Sequence, residues 1–420
     1  MRNIIYIFGV LMGLSSFWAE AQTVVPLSYS RFLQRVNEGN REYAAEKLNV
    51  NAARADAVAA KVFEDPELSV AYSNNQDNSI QMGQSVEFGL TQTVTLGRRG
   101  ANIRLAKSQS ELSEILLADY YRNLRADATI AYLEALKQKQ LFEVKKKAYQ
   151  NMADLAKSDS MRFILGKIME VEATQSHLEA GMMYNEVLQA ETELNNACAS
   201  LSILMGRAYN DTLYRPDETL KQPMRDFVLA DLLEQAVGNR SDLLAAQKNS
   251  EVASRELTLV RRERRPDVDV SLNVSLNNRV RNEEAPAPPF TGVTAGIAFP
   301  LNFSALNKGA VRAAKYRAQQ AELQSDQVRL QVENEVMQAY RQYQSHARQV
   351  SHYEKGLLAH AETVLTGKIY SYNRGEVSLL EILNAQRTYN DVQAQYIETL
   401  FDYNSALVEL ERSVGIWDIN

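Results

Sequence analysis

Cysteine, proline and glycine are all scarce in this chain. Its 420 residues include one cysteine, 9 prolines and 18 glycines. A single cysteine excludes a disulfide within the chain, and the apolar surroundings of Cys198 indicate a small buried side chain. Because proline and glycine most often end helices, their scarcity allows most of the chain to form long, uninterrupted helices.

Long apolar runs and a strong positive charge are also missing. Beyond residue 21 no run of 18 apolar residues occurs, so no membrane-spanning helix is expected. The formal net charge of −6 argues against a nucleic-acid partner. At the N-terminus, Arg2 precedes an apolar run from Ile4 to Trp18 and then Ala19-Glu20-Ala21, which is typical of a signal peptide. We predict that residues 1–21 are removed, with a retained anchor as the alternative.

The residues that usually carry chemistry do not form a recognisable site. Three histidines, His346, His352 and His360, share one predicted helix at spacings of six and eight, which do not form a chelating face. The fourth, His177, is isolated. The sequence has no phosphate loop, nucleophile triad or paired-cysteine motif. We therefore predict a protein that is not an enzyme and has neither a cofactor nor a metal site.

The chain is an internal duplication. Moving residues 373–386, NRGEVSLLEILNAQ, back by 209 positions places them on residues 164–177, ILGKIMEVEATQSH. Gly375 then falls on Gly166, and a second pair of glycines matches 40 residues further on. The front halves match at a shift of 200. The predicted organisation is a signal peptide (1–21), a first repeat (22–206), a linker (207–227) and a second repeat (228–420).

Four segments alternate between apolar residues and small or polar ones, and a period of two predicts strands. Their length suits tilted strands that cross a bilayer. The polar side, rich in Ser, Asn, Thr, Gly and Asp, suits a water-filled lumen better than an outer surface. Because four strands cannot close a barrel and open edges are costly in lipid, three chains would share a barrel of twelve strands. The segments are residues 66–74, 84–97, 266–278 and 290–301.

Each repeat also contains long helical patterns. A helical stretch opens each repeat, at 28–62 and 228–264, and a very long helix follows the strands, at 101–157 and 310–366. A helix of that length spans roughly 85 Å, which no globular core requires. In the last helix, apolar residues recur at steps of three and four, as in heptad packing. This seam consists of Tyr389, Val392, Tyr396, Leu400, Tyr403, Leu407, Leu410 and Val414.

Arginines cluster where the predicted strands meet the helices. Two interpretations stay open. The arginines could form a belt that contacts lipid phosphates, or they could be ordinary charges at solvated helix ends. The residues concerned are Arg98, Arg99, Arg261, Arg262, Arg264 and Arg265.

The whole predicted mature chain resembles the TolC family of outer-membrane efflux channels. The resemblance rests on the duplicated order and on LTQTVTLGRRGANIRLA, AFPLNFSALNKGAVRAA and YNRGEVSLLEILNAQRTYN. It implies a mainly helical fold with a transmembrane β part: a periplasmic barrel of long antiparallel helices, and four strands per chain in a trimeric, twelve-stranded β-barrel. It also implies a periplasmic adaptor and an inner-membrane pump of the RND type as partners. Within the family, LTQTVTLGRRG and QRTYNDVQAQYIETLFDYNSALVELE look most like the heavy-metal efflux subgroup, the CzcC-like proteins.

The resemblance also assigns functional positions. Family members narrow their tunnel with acidic residues after the tip glycine, and Glu172 and Glu381 match that position, while Asn384 matches a further acidic one. The alternative is that these are ordinary exposed helix residues. An adaptor-docking zone matches the two helical tips, where turn formation by glycine is the alternative or additional role. The tip residues are Phe163, Gly166, Tyr372, Arg374 and Gly375.

The function indicated is a passive exit duct in the outer membrane, with a helical tunnel in the periplasm, for divalent heavy-metal cations. A multidrug efflux duct or a type I secretion duct would share this architecture. A different class is a soluble periplasmic coiled-coil scaffold whose alternating segments form ordinary hairpins.

Overall fold

A computed structural model describes residues 23–75, 81–208, 212–221, 225–300 and 308–418. The predicted signal peptide, 1–21, lies outside these residues. Within the described part, no helix combines the length and the apolar character needed to cross a membrane. The chain divides into two compact units. Unit 1 comprises Met1–Asn40, Ala128–Lys221 and His352–Phe401, and unit 2 comprises Arg41–Asp127, Gln222–Ser351 and Asp402–Asn420.

Helices dominate both units, and the predicted fold class, mainly helical with a four-stranded β part, is confirmed. The C-terminal half of the predicted seam in the last helix is buried, with Tyr403, Leu410 and Val414 fully so, whereas the half from Tyr389 to Tyr396 is only partly buried. The helices are α1 (Tyr29–Gly39), α2 (Arg41–Ala59), α3 (Arg98–Ile164), α4 (Glu170–Leu204), α5 (Leu229–Asn239), α6 (Ser241–Arg262), α7 (Lys308–His352), α8 (Leu358–Asn373) and α9 (Leu379–Val414). The strands are β1 (Thr23–Leu27), β2 (Glu67–Asn74), β3 (Gln84–Val94), β4 (Thr212–Pro216), β5 (Val268–Asn277) and β6 (Phe290–Ala298).

Unit 2 contains one antiparallel sheet of four strands in the order β2-β3-β5-β6. Each repeat supplies one hairpin, and β3 pairs with β5 to join the two hairpins. The period of two puts apolar side chains on one face, where they are exposed in a single chain. These exposed residues are Leu68, Val70, Tyr72, Phe88, Leu90, Val94, Val270, Leu272, Leu276, Val293 and Ile297.

Unit 1 contains a second, parallel sheet that was not expected from the sequence. Strand β4 lies inside the segment 207–227, which was interpreted as a linker, and it pairs with β1 from Thr23↔Thr212 to Leu27↔Pro216. Two long side chains hold the ends of this sheet: the Tyr132 hydroxyl donates to the Leu27 carbonyl at 2.8 Å, and Lys139 Nζ donates to the Pro216 carbonyl at 2.9 Å. The segment 207–227, predicted to link the two repeats, therefore includes a strand of its own.

The opening helical stretch of each repeat is broken once, at positions that match under the 200-residue shift. Asn40 and Arg240 both have extended backbones, with ψ of 119° and 115°. Each of these residues donates from its side chain to a carbonyl in the last turn of a long helix: Asn40 Nδ2 to Leu204 O at 3.2 Å, and Arg240 Nη1 to Ser413 O at 2.9 Å. Carbonyls at a helix end lack partners within the helix, so both breaks cap another helix.

The long helix predicted at 310–366 is also interrupted. Residues Tyr353–Leu357 form a π-helical turn in which Gly356 has φ of 156° and ψ of −23°. His352 and His360 therefore lie on different helices, α7 and α8, rather than on the one helix expected from the sequence. The corresponding helix of the first repeat, α3, has no such break and continues for 67 residues. A helix of that many residues is roughly 100 Å long.

Arg240 contacts more groups than Asn40 does at the matched position. Only 4 % of its side chain is exposed, and besides Ser413 O it contacts Asp242 Oδ1 at 2.8 Å and Glu335 Oε2 at 2.7 Å. Removing this guanidinium leaves the Ser413 carbonyl without its donor, whereas Asp242 still lies 3.6 Å from Arg122 and Glu335 is half exposed. The cost is therefore that of lost hydrogen bonds to a buried donor, about 1–3 kcal/mol.

We expect Arg240→Met to lower the free energy of unfolding by about 2 kcal/mol, because the methionine fills part of the space but cannot donate. Thermal unfolding of the full-length protein in detergent, followed by helical circular dichroism, measures the change. Arg341→Met is the matched control, because Arg341 lies exposed on α7. Equal losses in the two variants would contradict a capping role for Arg240.

Candidate functional site

The two proposed constriction glutamates lie at equivalent helix starts. Glu172 Oε2 accepts a hydrogen bond from the Met169 amide at 3.2 Å, and Glu381 Oε1 accepts one from the Ser378 amide at 3.5 Å. A carboxylate at this position satisfies an unpaired amide and interacts favourably with the positive end of the helix dipole. Both glutamates therefore stabilise their helices, whatever else they do.

Their electrostatic surroundings differ. Glu381 Oε2 lies 2.6 Å from Lys368 Nζ on α8, and this contact holds the pKa of Glu381 below its usual range. Within the described part of the chain, no basic side chain forms an ion pair with Glu172. Asn384 is exposed and follows Glu381 by three residues on α9, so these two residues share a helix face. In a single chain, Glu172 thus carries the less compensated charge.

The glycines at the two tips fulfil a backbone requirement. Gly166 has φ of 68° and Gly375 has φ of 77°, in the left-handed region that favours glycine. No heavy atom lies within 4 Å of a Cβ built on either residue, so steric crowding is not the reason that glycine occupies these positions. The amides of Lys167 and Glu376 reach back to carbonyls in the last turns of α3 and α8, at 2.8 and 2.9 Å. The turn-forming role is therefore present at both tips.

The side chains proposed for adaptor docking do not all reach the surface. Phe163 is 41 % exposed. Arg374 is exposed, donates to the Tyr370 hydroxyl at 2.7 Å and lies 2.8 Å from Glu376 Oε1. Tyr372 is only 5 % exposed, so its placement among the docking residues needs correction: its side chain points into the tip and supports it from within.

The contacts of Tyr372 form a polar cluster that sequence reasoning missed. Its hydroxyl donates to Asp159 Oδ1 at 2.9 Å, and Asp159 is fully buried. The Arg162 guanidinium lies 4.8 Å from the Tyr372 ring centre and donates to the Tyr372 carbonyl at 3.3 Å. Burial raises the pKa of Asp159, against the opposing effects of the Tyr372 hydrogen bond and the Arg162 charge. In sequence, Asp159 looks like any polar residue on a long solvated helix, and nothing local marks it as buried.

Four of the six arginines at the strand bases come together around Gly97, whose φ is 86°. A Cβ built on Gly97 would lie 3.0 Å from Arg262 Nη1 and 3.6 Å from Arg265 Nη1. Arg98 lies 3.1 Å from Glu64 Oε1 and 3.4 Å from Asp267 Oδ2, and Arg99 stacks on the Phe63 ring at 3.8 Å. The turn also borders a cleft of about 690 Å³. Neither Arg261 nor Arg264 lies among the groups within 4 Å of that Cβ.

The polar face of the four-stranded sheet carries charge of one sign. Among its described strand residues, this face has three carboxylates, Glu67, Glu87 and Asp269, and no lysine or arginine. Thr93 Oγ1 donates to Asp269 Oδ1 at 2.6 Å. Glycines leave space for polar side chains on neighbouring strands: a Cβ on Gly89 would lie 2.5 Å from the Ser69 hydroxyl.

The described residues contain no group of three or more His, Cys, Asp or Glu side chains placed to hold a metal ion. The acidic residues of the polar sheet face and those of the tips have in common only their negative charge.

Comparison with known proteins gives one consistent result. Residues 232–416 match the family model described as outer membrane efflux protein. The chain is 23 % identical over 395 residues to the cobalt-zinc-cadmium resistance protein CzcC of Cupriavidus metallidurans, covering 93 % of this chain and 90 % of that protein. These matches confirm the resemblance inferred from the sequence.

Solved structures share the fold over most of the chain. CusC superposes with a TM-score of 0.75 at 17 % identity, with 92 % of each chain covered. The Campylobacter jejuni CmeC outer membrane channel has a TM-score of 0.75 at 14 % identity, covering 92 % of this chain and 85 % of that one. A membrane protein from Pseudomonas aeruginosa has a TM-score of 0.76 at 18 % identity, with 92 % of each chain covered.

The buried tip cluster makes a testable prediction. Tyr372→Phe removes the hydroxyl that donates to buried Asp159, so the tip should open more easily, by about 1 kcal/mol or severalfold in local amide hydrogen exchange. Exchange measured over residues 158–164 and 370–376 reports this change. Tyr370→Phe is the matched control, since it also removes one hydroxyl hydrogen bond at the tip, the one from Arg374, but at an exposed site. Unchanged exchange in Tyr372→Phe would contradict a supporting role for the cluster.

The cluster should also make tip stability depend on pH. The folded tip raises the pKa of Asp159, so it binds a proton more tightly than the unfolded chain does. Protection, corrected for intrinsic exchange, should therefore rise as the pH falls through the folded pKa of Asp159, and it should level off below the lower pKa that Asp159 has in the unfolded chain. Asp159→Asn should abolish this dependence, and an equal dependence in that variant would assign it to another group.

Proposed function

The second repeat carries an outer membrane efflux protein domain, and we propose that the chain is the outer-membrane duct of a tripartite efflux system for divalent heavy-metal cations. The observation that carries the cation assignment is the polar sheet face, where three carboxylates stand without a lysine or arginine among the described strand residues. A water-filled passage lined by one sign of charge concentrates ions of the opposite sign. The relative named for cobalt, zinc and cadmium resistance supports the same class of substrate.

The exposed apolar face of the sheet supports a membrane location over the soluble scaffold. Val70, Val293 and Ile297 are all more than 60 % exposed, in a row of similar residues. A contiguous apolar surface of this kind is unusual on a protein surrounded by water, whereas lipid would cover it. The two edge strands, β2 and β6, have no further partner in the described sheet, and open edges are not stable in lipid. A homotrimer with twelve strands satisfies this requirement.

At the tips, the proposed tunnel constriction consists of Glu172, Glu381 and Asn384. Three copies would bring six glutamates together, and close like charges favour cations. Because Lys368 already pairs with Glu381, Glu172 would contribute more of the uncompensated charge. The constriction would thus act on charge, while the choice of substrate would rest with an inner-membrane pump of the RND type.

The periplasmic adaptor would dock on the exposed tip residues. Phe163 and Arg374 offer an apolar and a cationic contact, and Gly166 and Gly375 shape the turns that present them. Tyr372 would act indirectly, by holding the tip in shape.

Outer-membrane lipid would contact the arginines at the strand bases. Arg98 already has two carboxylate partners, so the phosphates would be bound by the remaining members of the belt, near the apolar sheet face. These members are Arg99, Arg261, Arg262, Arg264 and Arg265.

Deletion of this protein should make cells sensitive to zinc, cobalt and cadmium, because exported cations could no longer leave the periplasm. Growth inhibition across these metals and a panel of dyes, detergents and antibiotics measures the effect, with the restored gene as control. Sensitivity confined to amphiphilic drugs would instead assign the duct to multidrug efflux. Normal tolerance of both classes, with a loss of protein export, would assign it to type I secretion.

Neutralising the polar sheet face should reduce cation selectivity. We expect the combined variant Glu67→Gln, Glu87→Gln, Asp269→Asn to lower the cation-to-anion permeability ratio severalfold, because the fixed charge in the lumen is removed. Single channels in planar bilayers with a salt gradient give this ratio as a reversal potential. Glu234→Gln, on the exposed surface of α5, is the control. A ratio unchanged from wild type would contradict a lumen on this face.

A further inference from the structure

The pairing of the four-stranded sheet continues beyond the ends of β3 and β5. The Asn278 amide donates to the Gln84 carbonyl at 2.8 Å, and the Arg281 amide donates to the Gln81 carbonyl at 3.1 Å. Both bonds keep the register of the β3–β5 ladder, and Val280 bridges the hairpin in the register of β5 and β6. The hairpin that joins β5 to β6 is therefore an ordered extension of the sheet as far as Arg281.

Two arginines lie on the polar face of this extension. Along β5 the exposed apolar residues stand at even positions, such as Leu272 and Leu276, and the polar residues of the opposite face stand at odd positions. Because successive side chains of a strand point to opposite faces, Arg279 and Arg281 continue the polar series. Both are exposed, and within the described residues neither guanidinium has an ion pair or a hydrogen bond.

The sign of the fixed charge therefore changes along the polar face. The charged groups among its strand residues are the three carboxylates described above. Arg279 and Arg281 follow at the hairpin end of the sheet, away from the strand ends that join the helices. Glu87 pairs with Ser275, four residues before Arg279, which corresponds to about 14 Å along the strand. The acidic section and the basic end are thus neighbouring parts of one surface.

Two glutamates in the turn of the same hairpin do not neutralise these arginines by contact. The Glu284 amide donates to Asn282 Oδ1 at 2.9 Å, so a local hydrogen bond shapes the turn. Glu283 and Glu284 are both exposed, and neither forms an ion pair with Arg279 or Arg281 among the described residues. Both lie beyond Arg281, the last residue that pairs with the neighbouring strand.

We propose that Arg279 and Arg281 form a cationic exit to an otherwise acidic passage, which therefore conducts cations more readily outward than inward. This inference rests on the proposed function, because it takes the polar sheet face as the lining of the passage. In three copies, six guanidinium groups would surround the exit. The carboxylates behind them would keep the passage rich in cations, whereas the exit would be poor in cations and rich in anions.

The direction follows from the supply of ions to each section. A driving force that moves cations outward also moves anions inward from the exit, so both kinds of ion accumulate and the conductance rises. The opposite driving force empties the acidic section toward the periplasm, and the lost cations must be replaced through the exit, where the arginines keep their concentration low. The arrangement creates no flow by itself, but exported cations would return less readily than they leave.

Single-channel current–voltage curves of the full-length protein in planar bilayers test the proposal. No described helix is apolar enough to cross lipid, so protein added on one side should insert with its hairpins toward the other side, which gives the voltage a known direction. In KCl at about 10 mM the Debye length is roughly 30 Å, and fixed charges act across the lumen. In KCl at about 1 M it is roughly 3 Å, and the same charges are screened.

We expect the current that carries cations outward to exceed the inward one by about twofold or more in the dilute salt, and the two to converge in the concentrated salt. Arg279→Gln combined with Arg281→Gln should bring the ratio close to one. Glu283→Gln combined with Glu284→Gln is the matched control in the same hairpin, and it should keep or increase the ratio. Both variants should form the same heat-modifiable trimer as the wild type, because all four side chains are exposed.

Three results would overturn the proposal. They are equal currents in both directions for the wild type in dilute salt, a ratio unchanged in the arginine variant, and an equal loss of the ratio in the glutamate control.

The reversal potential of the same channels in a salt gradient separates this inference from the proposed function. A channel that prefers cations but conducts equally in both directions would count against the cationic exit alone. A channel whose asymmetry depends on the two arginines but that shows no preference for cations would count against the cation duct alone.

Discussion

The open edges of the four-stranded sheet place the strongest demand on this structure. Strands β2 and β6 each present a row of backbone amides and carbonyls without partners in the described sheet, and such groups are costly wherever water cannot reach them. The apolar face of the sheet favours a lipid environment. In lipid, the unpaired backbone groups along the two edge strands would be energetically costly. The homotrimer proposed above would meet both demands, because strands of further copies would pair with the two edges.

The same backbone requirement acts at the helix ends, and there the two repeats have diverged. A side chain from the break between two short helices caps a carbonyl of a long helix in each repeat, at Leu204 and at Ser413. The first repeat uses the neutral amide of Asn40, whereas the second uses Arg240 and two carboxylates. The second repeat also breaks its long helix at Gly356, where the first does not. The two matched positions thus form the same kind of cap with different donors, a neutral amide at Asn40 and a guanidinium at Arg240.

Charge is distributed unevenly along the proposed passage. The polar sheet face is acidic without compensation among the strand residues described, whereas Glu381 at the tip is paired with Lys368. The carboxylates of the sheet face would therefore attract cations more strongly than Glu381 does, because a carboxylate paired with a lysine adds little to the attractive field.

Features that follow from local backbone geometry could be predicted from the amino-acid pattern. The alternation of two predicted the four strands, the steps of three and four predicted the buried seam through Tyr403 and Leu410, and positive φ explains Gly166 and Gly375. Other features became visible only in the folded chain: the pairing of β1 with β4, the burial of Asp159 and Tyr372, and the caps at Leu204 and Ser413. Each of these joins residues that are distant in the chain, and no local pattern records which distant group will satisfy a buried or unpaired polar atom.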